Sequence, residues 1–159
     1  MSVPVARTRT GGFPIGFRLT GPLAAEPADA VARWAATAGF GCVDLFADHR
    51  AATTAWTGAG LSVGTVDLFG REWSGMLSAD AGRRRDTVAL ARQAITTAAA
   101  NRVKIHFVVM LAEDVALPRR ETFGYMVETY GQLGDVLRAT NTRIAIEGWP
   151  GCNAHCCNP

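Results

Sequence analysis

The feature that most constrains this chain is a strict alternation of short apolar segments with longer segments of helical periodicity. Apolar runs occupy residues 14–19, 42–46, 61–68, 103–110 and 142–147, and we predict that each forms a β-strand. Between them, helices are predicted over residues 27–38, 48–59, 78–100 and 118–137, where apolar residues recur every three or four positions. Strand–helix–strand units of this kind favour a parallel sheet with right-handed crossovers.

Two parallel α/β architectures fit this alternation, and the segment after the first strand separates them. A doubly wound open sheet is expected to carry a G-x-G-x-x-G phosphate loop there, but the residues are LTGPLAAEP. A barrel instead places polar residues at the carboxyl ends of its strands, as Arg18, Asp44, Asp67 and Glu147 are placed here. We therefore predict an incomplete (β/α) barrel of the TIM type, with about five strands and four helices of eight each. Residues 1–12 are predicted to be an N-terminal extension and residues 13–159 the partial barrel domain.

Composition and charge exclude several classes of function. The net charge is +2 without a long run of one sign, so we expect no nucleic-acid partner. No run approaches the roughly 18 apolar residues of a membrane span, so no membrane partner is expected. One cysteine lies in an apolar run and three in the last eight residues, a distribution unlike a disulfide framework. We expect a cytoplasmic protein.

Glu147 is the leading candidate for chemistry. It ends an apolar strand, and Gly148 and Pro150 turn the chain directly after it. A carboxylate buried among apolar neighbours requires a cation or hydrogen-bond donors, and a divalent metal ion answers that need. The structural alternative is a salt bridge to Lys104 or Arg143.

Three further polar residues are candidates for substrate contact. Asp44 and Asp67 both occur in the sequence VDLF, where each could bind a polyol hydroxyl, orient a metal ligand, or only cap the following loop through backbone N–H groups. His106 lies in the middle of the fourth strand, and we expect it to point into the barrel together with Lys104. The alternating residues Ile105, Phe107 and Val109 are then expected to face the helices. A hydrogen-bonded core histidine is the structural alternative.

The C-terminal tail contains Cys152, His155, Cys156 and Cys157. These residues lack the paired spacing of a structural zinc site, and no C-x-x-C-H haem motif is present. His155 alone is a candidate substrate contact, because it follows Glu147 closely on the same loop.

The order of elements resembles the xylose isomerase-like barrels, the sugar phosphate isomerase/epimerase family. The resemblance covers nearly the whole chain and rests on four motifs, which are CVDLF, SADAGRRRDTVALAR, VKIHFVV and IAIEGWPG. It implies that Glu147, at the end of strand five, is a ligand of a divalent metal ion such as Mn, Mg, Co or Zn. The family completes that site with an acid, a histidine and a second glutamate from strands six to eight, which this chain does not reach.

The resemblance implies isomerisation or epimerisation of a small sugar or sugar phosphate, with Glu147 on the metal and His155, Asp67 and His106 near the substrate. We expect the chain to be inactive in isolation. One alternative is a phosphodiesterase of the endonuclease IV type, although that family uses many histidine ligands and this chain has three in all. The other is a non-catalytic partial barrel that forms a homo-oligomer through its open sheet edges.

Overall fold

The computed structural model describes residues 4–9, 11–70 and 73–148. Its centre is one sheet of five parallel strands in the order β1-β2-β3-β4-β5. All five predicted strands are confirmed to within two residues at each end. The bounds are β1 Gly16–Arg18, β2 Cys42–Leu45, β3 Ser62–Asp67, β4 Ile105–Val109 and β5 Arg143–Glu147.

The strand order decides between the two predicted architectures. In a doubly wound sheet the order reverses after the first strands, whereas here every strand pairs with the strand that follows it in sequence. A sheet that always adds its next strand on the same side is the geometry of a (β/α) barrel. The predicted incomplete barrel is therefore confirmed.

Helices connect the strands. The predicted segment 118–137 is two helices, because regular hydrogen bonding stops at Gln132 and restarts at Gly134. Residues 47–52 form a 3-10 helix ahead of the second α-helix, and two more 3-10 helices follow β1 and β3. The α-helices are α1 Ala28–Thr37, α2 Thr53–Gly58, α3 Ala81–Ala100, α4 Arg119–Gly131 and α5 Gly134–Thr140.

The two faces of the sheet have different surroundings. Val43, Leu45 and Val66 belong to a buried cluster that includes residues of α1, α2 and α3. Val108 belongs to a second cluster with residues of α3 and with Leu133. The residues that alternate with these along the strands, among them Asp44 and Asp67, line an open cavity on the other face. The helix layer thus covers one face, and the inner face of the barrel carries the polar side chains.

The predicted direction of His106 is wrong. Phe107 lines the cavity beside Asp67, whereas His106 does not line it and lies in register with Val66, which packs in the helix-facing cluster, so strand alternation places His106 on the helix side. His106 is fully buried there, at 0% exposure. Alternation along a strand defines two faces but does not state which of them meets the helices, and a single polar residue was a poor guide to that choice.

The segment before β1 packs against the amino-terminal end of the sheet. Arg7 pairs with Pro14 in an antiparallel bridge, and the amide of Ala6 donates to the carbonyl of Gly39. Whether residues 1–12 are a separate extension remains a prediction. In the part of the chain that the structure describes, no helix has both the length and the apolar character to cross a membrane.

Candidate functional site

A cavity of about 1110 Å³ opens at the carboxyl ends of the parallel strands. This is the end of a β/α barrel at which active sites lie. Polar side chains reach it from four of the five strands, and aromatic rings form much of its wall. The residues that line it include Arg18, Asp44, Phe46, Asp48, Thr65, Asp67, Phe69, Phe107, Val109 and Glu147.

Arg18 and Asp67 form an ion pair inside the cavity. Nη2 of Arg18 donates to Oδ2 of Asp67 over 2.6 Å, which links β1 to β3 across the intervening strand β2. Burial raises the pKa of the Asp67 carboxyl, and the hydrogen bond from Arg18 lowers it by less. The other oxygen of Asp67, Oδ1, is buried and accepts no hydrogen bond from the described residues. Asp67 therefore retains an unused acceptor next to a cation.

Asp44 occupies the same face on β2 and is held differently. Its Oδ1 accepts 2.7 Å and 3.0 Å hydrogen bonds from the backbone N–H and the hydroxyl of Thr65 on β3. Gly64 makes room for this contact, since a Cβ there would lie 2.6 Å from Oδ1. The expectation that Asp44 binds backbone N–H groups is thus met by the neighbouring strand, not by the following loop.

Glu147 lies at the carboxyl end of β5, opposite Val109 of β4, and it lines the cavity. Its side chain is exposed, because β5 is an edge strand with one partner in the described part of the chain. The salt bridge to Lys104 or Arg143, which was the structural alternative, does not form among the ion pairs of the described residues. Within that part of the chain, Glu147 is an exposed carboxylate at the rim without an ion-pair partner, where the sequence suggested a buried one.

The two described histidines, His49 and His106, do not line this cavity. His106 faces the helices, where burial and, to a smaller extent, the charge of Arg50 lower its pKa to about 4. His49 places Nε2 at 3.1 Å from the carbonyl oxygen of Ala24 and does not line the cavity. His155 and the tail cysteines lie outside the described residues, so their predicted roles stay predictions. Within the described ranges, no three His, Cys, Asp or Glu side chains are grouped to hold a metal ion.

Sequence reasoning placed Arg18 at a strand end but assigned it no role. The structure brings its guanidinium to 4.4 Å from the ring centroid of Phe46 and 5.3 Å from that of Phe107. The sequence signal that could have directed Arg18 to the cavity was the alternation of β1, which places Arg18 and Gly16 on one face and Phe17 and Leu19 on the other. Its partner, 49 residues away, had no local signal.

Solved structures with the same fold include sugar epimerases. A D-psicose 3-epimerase, determined in the presence of D-fructose, matches with a TM-score of 0.72 at 14% identity, over 87% of this chain and 53% of that one. D-psicose 3-epimerase with D-tagatose, from Clostridium cellulolyticum H10, matches with a TM-score of 0.65 at 12% identity, over 82% and 50%.

An AP endonuclease of family 2 from Brucella melitensis matches with a TM-score of 0.62 at 17% identity, over 82% of this chain and 53% of that one. No family model and no curated protein matches the sequence. The chain spans about half the length of the solved structures that it matches. These likenesses confirm the predicted TIM-type barrel fold, which the chain shares with sugar epimerases of solved structure.

Proposed function

We propose that the cavity is part of the active site of a sugar isomerase or epimerase, in which Glu147 is the base and Asp67 binds a substrate hydroxyl. One observation carries the proposal. Carboxylates from β2, β3 and β5 line one cavity at the carboxyl ends of the strands, and Phe46, Phe69 and Phe107 form part of its wall. Aromatic faces suit the C–H faces of a sugar, and carboxylates suit its hydroxyl groups. The epimerases of the same fold, solved with D-fructose and D-tagatose, support the sugar class.

The proposed chemistry uses groups that the described residues supply. In isomerisation or epimerisation a base takes the proton from the carbon beside the carbonyl, and the C–H electron pair moves toward the carbonyl oxygen. Return of the proton from Glu147 to the former carbonyl carbon, with the hydroxyl proton passing to the former carbonyl oxygen, moves the carbonyl. Delivery of a solvent proton to the opposite face of the first carbon, after which Glu147 loses its proton to solvent, inverts that carbon instead. We assign the proton abstraction to Glu147, a carboxylate that lines the cavity and has no ion-pair partner among the described residues. Asp67 lines the cavity and can accept a hydrogen bond from a substrate hydroxyl at Oδ2, beside the bond from Arg18.

We also propose Glu147 as a ligand of a divalent cation, as the family resemblance implies. The described residues alone do not complete such a site, since no group of three ligating side chains exists among them. A single carboxylate holds a divalent ion weakly. The proton transfer is therefore derived from Glu147 and Asp67 without a step through the metal.

A phosphodiesterase is the second candidate, supported by the family 2 AP endonuclease with the same fold. Hydrolysis of a phosphodiester by clustered metal ions calls for several ligating side chains at the cavity. Of the described histidines, neither His49 nor His106 lines it. We rank this function second.

A homo-oligomer through the sheet edges is the proposal for a protein partner. In the described part of the chain, β1 and β5 each have one strand neighbour, and an edge strand offers unpaired backbone groups. Ile146 on β5 is 55% exposed. Light scattering after size exclusion tests this proposal: a dimer that Ile146→Lys converts to a monomer supports it, and a monomeric wild type overturns it.

The function is tested by titrating the ¹⁵N-labelled chain with D-fructose and, separately, with an abasic-site DNA duplex. We expect fructose to shift the amide resonances of Thr65, Asp67 and Glu147, and Glu147→Gln to weaken fructose binding, measured as a higher dissociation constant in the same titration. Glu26→Gln, an exposed glutamate outside the cavity, is the matched control. Shifts with the duplex and none with fructose would instead establish the second candidate.

A further inference from the structure

Two arginines approach the end of β3, and they are bound in different ways. Arg50 donates from Nη2 to the carbonyl oxygens of Asp67 and Leu68, at 3.0 Å and 2.9 Å, and its Nε is buried. Arg50 does not line the main cavity. Its donors are directed to backbone, so its role is to hold the end of the strand.

Arg18 is fixed from three sides and still open to the cavity. Phe46 and Phe107 lie against its guanidinium, and Asp67 binds Nη2. Even so, 34% of the Arg18 side chain is exposed, compared with 16% for Asp67. A guanidinium carries five N–H donors in one plane. Among the described residues, Asp67 is the one acceptor that Arg18 binds through a hydrogen bond.

The pair therefore presents donors and an acceptor side by side. The remaining N–H groups of Arg18 are donors, and Asp67, which lines the same cavity, can accept a second hydrogen bond at Oδ2, because a carboxylate oxygen has more than one lone pair. Adjacent oxygens of a sugar have the complementary arrangement, because a carbonyl or hydroxyl oxygen accepts and a neighbouring hydroxyl donates. The rings beside Arg18 restrict its rotamers, which lowers the entropic cost of binding.

We propose that Arg18 is a specificity-determining residue that donates to an oxygen of the sugar while Asp67 accepts from the neighbouring hydroxyl. This inference rests on the proposed function. The cavity favours an uncharged sugar over an anion: Asp44, Asp48, Asp67 and Glu147 line it, and Arg18 is the one cation among its described lining residues. Arg18 is already neutralised by Asp67.

The test is the dissociation constant of D-fructose, measured by NMR titration of wild type, Arg18→Lys and Arg50→Lys. Lysine keeps the charge but loses the planar set of donors. We expect Arg18→Lys to raise the dissociation constant about tenfold, the effect of one charge-assisted hydrogen bond. Arg50→Lys, the matched control, is expected to lower the melting temperature and leave the dissociation constant unchanged. The ¹H–¹⁵N spectrum of each variant verifies that it is folded.

The outcomes separate this inference from the proposed function. If wild type does not bind fructose, the proposed function fails. If wild type binds and Arg18→Lys binds equally well, only the role of Arg18 is wrong. If inorganic phosphate displaces fructose from wild type and not from Arg18→Lys, Arg18 is an anion site and the assignment to a sugar oxygen is overturned.

Discussion

Arg18 at the end of β1 and Asp67 at the end of β3 are joined by a 2.6 Å hydrogen bond that spans the width of β2. The bond thereby joins the ends of two strands that are not neighbours in the sheet. The two partners differ in burial, since the arginine is about twice as exposed as the aspartate, at 34% against 16%. This asymmetry has measurable consequences.

Removal of the arginine is expected to destabilise the protein more than removal of the carboxylate. Arg18→Met leaves a largely buried carboxylate without its cation, which costs about 1–3 kcal/mol in the free energy of unfolding at pH 7. Asp67→Asn removes that buried charge, whose burial raises the pKa of Asp67 despite Arg18, so we expect a change within about 1 kcal/mol. Urea denaturation of both variants measures the difference. A larger loss for Asp67→Asn than for Arg18→Met contradicts the prediction.

Acid is expected to destabilise the fold through His106. Burial lowers the pKa of His106 from 6.5 to about 4, so the folded state disfavours the protonated ring. The associated stability is complete above pH 6.5 and is lost as the pH falls toward 4, with a slope of up to about 1.4 kcal/mol per pH unit. His106→Leu is expected to remove this slope between pH 6 and pH 4. The measurement is urea denaturation at several pH values, and an unchanged slope in the variant refutes the assignment to His106.

The loop after β3 packs closely on α3 at Gly75. A Cβ at that position would lie 2.2 Å from Oγ1 of Thr87, whose side chain is buried. We expect Gly75→Ala to destabilise the protein by about 1–3 kcal/mol. Gly124→Ala is the matched control, because open space surrounds that position within α4 and alanine is the better helix former by about 1 kcal/mol. Thermal unfolding compares the two, and equal effects would show that Gly75 is not sterically required.

Arg84 anchors the same loop to α4. Nη1 donates to the carbonyls of Ser78 and Ala79 at 2.8 Å and 3.1 Å, Nη2 donates to Glu128, and the guanidinium lies 4.2 Å from the ring centroid of Tyr125.

The two partners of the Arg84–Glu128 pair are expected to contribute unequally to the free energy of unfolding. Arg84→Met removes a buried guanidinium and leaves two backbone carbonyls without their donor. We expect this to lower the free energy of unfolding by about 2–4 kcal/mol. Glu128→Gln changes a half-exposed group and is expected to cost less than about 1 kcal/mol. Chemical denaturation of both variants tests the ranking, which is wrong if Glu128→Gln is the more damaging.

The strands were predictable because their signal is local. Each is a short apolar run bounded by glycine, proline or polar residues, and the choice of a barrel followed from the absent phosphate loop and the polar residues at strand ends. The break between α4 and α5 was missed, because the apolar spacing continues through residues 131–134 although the hydrogen bonding does not. The exposure of Glu147 was also missed, since it depends on β5 lying at the sheet edge in the described part of the chain.

The sequence by itself determined the parallel α/β architecture and placed Asp44, Asp67 and Glu147 at strand ends, because periodicity and chain direction are properties of neighbouring residues. Only the tertiary structure decided that Arg18 pairs with Asp67, that Asp44 is held by Thr65, and that His106 faces the helices. These relationships depend on which sheet face the helices cover and on contacts between strands distant in sequence. Local periodicity carries no information about either.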